Sequence, residues 1–391
     1  MENNRKNDDF RKSSIKVPFF SPWITDSDKK AVMNALNSVL LTDGPKLREF
    51  ESAFSKFTGA KYAVGVSNGT SALHLSLKAI GIGKGDEVVI PDMTFVATAN
   101  AVVISGATPV FADIEKESMN ISIDSIRNNL TSRTRAILPV HFAGKVCDIK
   151  EISKIAKLNN LKVIEDCAHA IGARYEEKHV GTFGNAGCFS FYPTKNITTI
   201  EGGMVITNSK KIAEYVTIAR NHGLTKSLSQ RYSKGKPWDY DTLVYGYNYR
   251  LDEIRSSLGL SQLKRIRELN SLRKKACEYY NSKLQGVEGI ITPRVSELED
   301  NVYHLFIIKI KEKYGLSRDK LFKKFLQYGI STSVHYKPLH EFCTFKKFLR
   351  RGNDLKNAKN LYKEIISLPL YPQISKKEQD LVIKCIKSKD L

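Results

Sequence analysis

The sequence predicts an α/β fold: a large, mostly parallel β-sheet with helices on both faces, followed by a smaller C-terminal α/β domain. Three observations carry this prediction. Between about residues 60 and 206, short apolar runs of strand length alternate with segments of helical period, the pattern of βα units. Beyond residue 250 the pattern turns helical and then mixes short strands with helices. The chain has 391 residues, 41% hydrophobic and 26% charged, enough to bury a large core and to hold two or three domains.

Taken in order, residues 1–15 are polar and lack apolar periodicity, so they read as a disordered tail rather than a secretory signal, which needs an apolar stretch. A first domain is expected over 16–269. Its strands fall at 62–66, 87–90, 109–112, 135–139, 162–165, 188–191 and 204–207. Helical stretches lie between them at 71–80, 97–105, 148–158 and 211–221. Residues 225–245, rich in Ser, Lys, Gly and aromatics, read as a long functional loop. From 250 to 280, Leu251, Ile254, Leu258, Leu260, Leu263, Ile266 and Leu269 recur at helix-like spacing. A second domain is expected over 270–391, with strands at 303–310 and 332–335 and helices at 318–328, 357–367 and 376–387. Ligands of such sheets gather at the carboxyl ends of the strands.

Composition narrows the function class. No run of about 18 apolar residues exists, so no membrane partner is expected. The six cysteines are scattered without a CxxC pair, which argues for reduced thiols in a cytoplasm and against a metal site or a disulfide frame. The net charge of +21 invites a nucleic-acid reading. The lysines are interleaved with acids and core apolars, as in Lys320-Leu321-Phe322-Lys323-Lys324, and no nucleic-acid motif accompanies them, so no nucleic-acid partner is expected. A positive field suits an anionic small substrate equally well.

The chemistry concentrates in two segments. Phe189-Ser190-Phe191-Tyr192-Pro193-Thr194-Lys195 places a lysine on a short loop after an apolar strand and before Glu201-Gly202-Gly203. Twenty-nine residues earlier, Val163-Ile164-Glu165-Asp166 is a strand that ends in a carboxylate. A lysine and an aspartate so placed suit pyridoxal phosphate (PLP): the amine forms a Schiff base with the aldehyde, and the carboxylate keeps the pyridine nitrogen protonated. An unpaired carboxylate at the end of a buried strand is costly, and either a cationic ring nitrogen or an arginine would satisfy Asp166. Ser67-Asn68-Gly69-Thr70-Ser71 joins a strand to an apolar helix. Such a turn is an ordinary capped helix start or, beside the Asp166 and Lys195 pair, a cup for an anionic phosphate. His169 lies beside the cofactor ring or its 3′-oxygen, or is a hydrogen-bonded core histidine. Phe95 stacks on the ring or is a core aromatic.

These residues resemble the DegT/StrS family of PLP-dependent sugar aminotransferases. The resemblance runs from about Val17 to Lys387 through Leu41-Thr42-Asp43-Gly44-Pro45, Gly85-Asp86-Glu87-Val88, Ile137-Leu138-Pro139-Val140-His141, Gly246-Tyr247-Asn248-Tyr249-Arg250, Val334-His335-Tyr336 and Leu368-Pro369-Leu370, as well as the segments above. It implies the aspartate-aminotransferase-like (type I PLP) fold. It further implies that Lys195 carries the cofactor and Asp166 binds its pyridine nitrogen. Ser190, Gly69 and Thr70 would hold the phosphate, and Phe95 and Ala168 would sandwich the ring. Asn248 would reach the phosphate in a neighbouring subunit, making a homodimer with shared active sites. Arg250, His335 and Tyr336 would face the substrate. The Asn-Tyr-Arg run looks like the branch acting on nucleotide-linked 4-keto sugars, with L-glutamate as donor and an amino sugar for surface glycan as product. Two positions depart from the pattern: Ile200 stands where many relatives have a small residue, and Cys167 where alanine is usual.

Two alternatives are distinguishable. PLP-dependent sugar dehydratases of the same scaffold replace the Schiff-base lysine by histidine, whereas Lys195 is present here. A non-catalytic regulatory or DNA-associated protein, suggested by the charge, would leave the lysine, aspartate and phosphate set idle.

Overall fold

A computed structural model describes residues 15–225, 238–294 and 301–388. The expected tail at 1–15 lies outside the described residues except for Ile15, as does most of the expected loop at 225–245. In chain order the first elements are α1 (Asp26–Leu36), α2 (Pro45–Thr58), β1 (Tyr62–Val66), α3 (Gly69–Ala79), β2 (Glu87–Pro91), α4 (Val96–Ile104), β3 (Thr108–Ala112), α5 (Ile123–Asn129), β4 (Thr134–Ile137), α6 (Ile149–Leu158) and β5 (Lys162–Asp166). A small hairpin of β6 (Arg174–Tyr175) and β7 (Lys178–His179) leads to β8 (Ala186–Ser190), β9 (Gly203–Thr207) and α7 (Lys210–Ala219). The rest comprises α8 (Glu253–Leu263), α9 (Ile266–Leu284), β10 (Ile290–Ile291), β11 (Phe306–Ile310), α10 (Arg318–Gln327), α11 (Lys356–Tyr362), β12 (Ile365–Leu368) and α12 (Lys376–Lys387).

Seven strands form the large sheet in the order β1-β9-β8-β5-β4-β2-β3. The β3–β2, β2–β4, β4–β5 and β5–β8 pairs are parallel, and β9 runs antiparallel to both β8 and β1. Its central strands are buried over almost their whole length, as parallel strands covered on both faces must be. Helices α3, α4 and α7 cover one face through Leu75, Ala101, Val102 and Val216. On the other face, Ile152 and Ile155 of α6 pack with Val89, Ile137 and Val163. Nearby, Phe50 and Phe54 of α2 meet Phe189 and Phe191. Among the described residues no helix is long and apolar enough to cross a membrane.

A second, antiparallel sheet of β10, β11 and β12 has its own core of Tyr280, Phe306, Ile308, Phe325, Ile366 and Ile386. Helix α9 joins the two cores: Ile266 and Leu269 sit with the large-sheet cluster, and Cys277, Tyr280 and Leu284 with the second. The position expected to divide the domains, 269/270, therefore falls inside a continuous helix. Val17, near the start of the described chain, is buried in the second core and bridges Ile330.

Several expectations need correction. The helix expected over 250–280 breaks at Lys264–Arg265 into α8 and α9. The helix expected at 357–367 ends at Tyr362, and Ile365 and Ile366 enter β12. These two β-branched residues pack on opposite sides of a pleated strand, as alternation in a strand requires, and a helical spacing of apolar residues had disguised them. The strand expected at 332–335 is a single bridge between Ser333 and Ser367. Helices α1, α2 and α5 were not anticipated. Helix α2 begins at Pro45, and the N–H groups of Gly44, Lys46 and Leu47 are capped by the buried carboxylate of Glu253.

Candidate active site

The carboxyl ends of β1, β2, β5 and β8 converge on a cavity of about 560 Å³, a size suited to a small organic ligand. Ten of the expected site residues line it: Gly69, Thr70, Phe95, Asp166, Ala168, His169, Ser190, Lys195, His335 and Tyr336. Asn248 and Arg250 do not. Asn248 forms a bridge with Asn221, and Nη1 of Arg250 donates to Asn221 Oδ1 at 2.8 Å, beside a separate groove.

Helix α3 opens in a capping box. Asn68 Oδ1 accepts the Ser71 N–H at 2.8 Å, and Ser71 Oγ accepts the Asn68 N–H at 3.1 Å. Among the described residues this leaves the N–H groups of Gly69 and Thr70 unused, at the positive end of a helix dipole. A Cβ on Gly69 would stand 2.8 Å from Cβ of Ser190, and one on Gly203 only 2.4 Å from the Asn68 carbonyl oxygen. The two glycines thus let the helix start, the Ser190 strand end and the Glu-Gly-Gly turn close on one another. The result is a cradle of N–H and hydroxyl donors for an anion.

Asp166 ends β5, deeply buried. Its Oδ1 accepts the Ala168 N–H at 3.1 Å and its Oδ2 the Thr98 hydroxyl at 3.0 Å. Thr98 in turn is bonded to the Thr94 hydroxyl at 3.0 Å. Burial pushes the Asp166 carboxyl up, against the pull of these two donors and of Lys195. Among the described residues no arginine pairs with it, so the arginine alternative falls. On the opposite side of β5, Glu165 accepts the N–H groups of Gly181, Phe183 and Gly184 and pairs with His141 at 3.1 Å. His141, Glu165 and Cys167 stand close enough to share a metal ion, but the Glu165 oxygens are occupied in bracing the loop that enters β8.

Lys195 lies on the turn between β8 and β9, which is held at several points. The Lys195 N–H donates to the Tyr192 carbonyl, the Thr198 hydroxyl to that of Phe191, and the Asn196 amide to Asn270 and to the Val302 carbonyl. Burial pulls the Lys195 amine down to about 8, and the negative charge of Asp166 opposes that shift. Ile200, on the same turn, has φ +71° and is 62% exposed, an uncommon backbone conformation for a β-branched residue.

Behind the lysine stands a histidine cluster. The His169 ring lies 4.3 Å from that of His304, and burial together with nearby Lys195 holds both far below the ordinary histidine range. His335 is pulled down to about 3 by burial and then by Lys195, and its Nδ1 meets Ser367 Oγ at 2.7 Å. His169 is a hydrogen-bonded, buried histidine whose ring nitrogens meet the Ala143 N–H and the Tyr336 hydroxyl. Phe95 is 55% exposed at the start of α4, so it is not a core aromatic. Tyr247 and Tyr249 stack on each other at 5.0 Å and pack against His74 of the same chain, whereas Tyr245 is 98% exposed.

The sequence reading missed Thr94, Thr98, Tyr192 and Glu201. Thr98 had one signal, a hydroxyl on an otherwise apolar helix face, three residues after Phe95.

The residues present fit PLP. They supply a desolvated carboxylate in want of a cation, an amine lowered to about 8 by burial and a cradle for a phosphate, all in one cavity. The chain matches the model of the DegT/DnrJ/EryC1/StrS aminotransferase family over residues 22–387. It is 39% identical over 374 residues to the spore coat polysaccharide biosynthesis protein SpsC of Bacillus subtilis, covering 95% of this chain and 96% of that protein. Helicobacter pylori PseC, an aminotransferase involved in the biosynthesis of pseudoaminic acid, superposes with a TM-score of 0.88 and 32% identity, over 96% of this chain and 98% of that one. Spr1654 of Streptococcus pneumoniae, solved in PMP and PLP forms, superposes with a TM-score of 0.88 and 29% identity over 95% and 98%.

Proposed function

The chain belongs to the DegT/DnrJ/EryC1/StrS aminotransferase family of PLP-dependent enzymes, and from that premise we propose that it transfers the amino group of L-glutamate to a nucleotide-linked keto sugar. The acceptor is a 4-keto-6-deoxy sugar, and the amino sugar formed serves a surface glycan. The observation that carries this reading is the joining of Asp166, Lys195 and the Gly69–Ser190 cradle in one cavity. The roles of SpsC in spore coat polysaccharide and of PseC in pseudoaminic acid biosynthesis support the sugar class.

When bound, PLP supplies an electron-withdrawing ring that stabilises negative charge on the carbon being deprotonated. Asp166, its carboxylate fixed by Thr98 and Ala168, would hold the pyridine nitrogen in its protonated form. The Gly69 and Thr70 N–H groups and the Ser190 hydroxyl hold the phosphate. Phe95 and Ala168 flank the ring. Lys195 would anchor the cofactor and, with its Nζ free, would act as the base. Its Nζ, lowered to about 8 by burial in the free site, is suited to take the proton from the α-carbon of the donor and would hold it for return within the same cavity. The same residues would serve the sugar ketone in the reverse direction. Asn248 and Arg250 serve a second subunit: Asn248 meets the partner's phosphate, and Arg250 an anionic group of donor or nucleotide. The active unit is then a homodimer.

The test is a panel of nucleotide-linked 4-keto and 3-keto sugars incubated with glutamate and read by the mass of the amino product. A product from a 4-keto-6-deoxy sugar is expected. Product from 3-keto sugars alone, or from none of them, refutes the substrate assignment.

A further inference from the structure

Asp92 follows β2 directly and is wholly buried. It grips one short stretch of the C-terminal part three times. Its Oδ1 accepts the N–H of His340 at 3.1 Å, its Oδ2 meets Nδ1 of the same residue at 2.6 Å, and its carbonyl oxygen accepts the N–H of Leu339 at 2.7 Å. Among the described residues no lysine or arginine pairs with this carboxylate, so the imidazole is the cation within its reach. A carboxylate taken out of water is costly unless a positive partner stands against it. The bond to Asp92 lifts His340 above the ordinary histidine range, and burial lifts the Asp92 carboxyl as well. Other charged groups face the pair. Asp113, just beyond β3, faces Asp92, but its oxygens are taken by the N–H groups of Asn357 and Ala358, both at 2.9 Å. Glu341 favours the positive charge on His340, and Lys359 of α11 opposes it.

The pair joins the two pieces of chain that wall the cavity. Phe95 lies shortly after Asp92 in the chain, and Tyr336 shortly before His340. Both line the cavity, and their rings stand 5.9 Å apart. Neither Asp92 nor His340 lines it. Phe95 is more than half exposed, so its own packing does little to fix where the ring stands. Past Tyr336 the chain stays on the large sheet. Leu339, Phe345 and Leu355 are buried in the core shared with α3 and α4, and the Asn353 amide donates to the Phe111 carbonyl at 2.7 Å. Apolar packing thus anchors this segment along its length, and at the cavity end the Asp92 carboxylate fixes its direction.

We propose that Asp92 and His340 are positioning residues, a clasp of opposite charges that holds the Phe95 and Tyr336 wall in place around the bound cofactor. This rests on the cofactor site described above. The sign of its pH dependence follows from the pair. His340 titrates above 6.5, so the clasp has its full charge below that value and loses it as pH rises through the titration of the histidine. The neutral ring, its hydrogen kept on Nδ1, still donates to Asp92, but a bond between two charges has become a bond from a neutral donor. Toward acid the clasp lasts until Asp92 takes up a proton, which burial brings sooner than for an ordinary aspartate.

His340→Asn tests this, because the asparagine amide nitrogen stands near the place of Nδ1 and donates without a charge. Two quantities are measured across neutral pH: the dissociation constant for PLP, and the hydrogen-exchange protection of the amides at 339 and 340 in the cofactor-free protein. At about pH 6 the variant is expected to protect those amides about tenfold less than the wild type and to bind PLP about threefold or more weakly, the size of one charge lost from a buried hydrogen bond. Both ratios of variant to wild type are expected to approach one as pH rises past the titration of His340. Taking the ratio at each pH cancels the titration of Lys195, which is common to both proteins. Ratios that stay constant with pH overturn the proposal, because the pair would then be an ordinary brace. An unchanged PLP affinity at about pH 6 also overturns it, because the clasp would not reach the cavity wall. Asp92→Asn is expected to show the same loss; should it fail to fold, His340→Asn decides alone. A wild-type protein that gains no visible band with PLP refutes the cofactor site itself, and the amide exchange then decides whether the clasp exists.

Discussion

The titration of Lys195 in the cofactor-free protein offers a quantitative test of the site. An ordinary lysine titrates at 10.5, and burial brings this one to about 8. At pH 7 roughly 9% of the amine is then neutral, against about 0.03% for an ordinary lysine, a gain of about 300-fold in nucleophile. The rate of PLP capture should follow the neutral fraction. Capture is expected to rise about fivefold from pH 7 to 8, less than twofold from 8 to 9, and then to level off. Stopped-flow growth of the visible band on mixing cofactor-free protein with PLP reads this directly. Asp166→Asn removes the charge that holds the Lys195 proton on, so its plateau should arrive at lower pH even though turnover is lost. The same shift has a stability signature. Between pH 8 and 10.5 the unfolded chain holds the proton and the folded chain does not, so stability should rise with pH across that window, by at most about 3 kcal/mol. A capture rate still climbing tenfold per pH unit above pH 9 would refute the desolvated-lysine account.

Three other outcomes are expected. Thr98→Val removes a hydroxyl donor from the Asp166 carboxylate and should move the acidic limb of kcat/KM up by about one pH unit, and an unmoved limb would show that this bond is idle. Gly69→Ala puts a methyl 2.8 Å from Ser190 Cβ and should weaken PLP binding at least about tenfold in equilibrium dialysis while the melting temperature changes little; normal affinity would place the phosphate elsewhere. Mixing inactive Lys195→Ala with inactive Asn248→Ala subunits should restore activity through mixed dimers with one intact site, and no recovery despite subunit exchange would exclude the shared site.

The parts of the site that rest on local pattern were legible in the sequence. Asp166, Ser190 and Lys195 announce themselves because each lies at or just beyond the end of an apolar strand, where side chains must face a cavity. Gly69 and Thr70 follow from a strand that turns into a helix. What escaped depends on distance along the chain. The carboxylate that caps α2 comes from Glu253, more than 200 residues away, so the local sequence gave no notice of the helix start. The hydrogen-bond partner of His169 is Tyr336, too far along the chain for any local pattern to announce it. Thr98 looked like an ordinary helix residue because its task is set by a strand in another βα unit. The error at 357–367 has a different origin. Ala358, Leu361 and Ile365 keep a helical spacing across a true boundary, and only the β-branched pair at 365–366 betrays the strand.

The same distances govern when the enzyme can first exist. The hydroxyl that steadies Asp166 is 68 residues upstream of it, and the tyrosine bonded to His169 is 167 residues downstream. Tyr336 lies more than 100 residues beyond Thr207, where the last strand of the large sheet ends. A nascent chain that has completed the large sheet already presents Asp166 and Lys195, but with no tyrosine behind them. Ribosomal synthesis delivers the N-terminal part first, so the cavity is completed only when the segment that carries Tyr336 folds onto it. A chain arrested before residue 336 would carry Lys195 without the tyrosine that bonds His169.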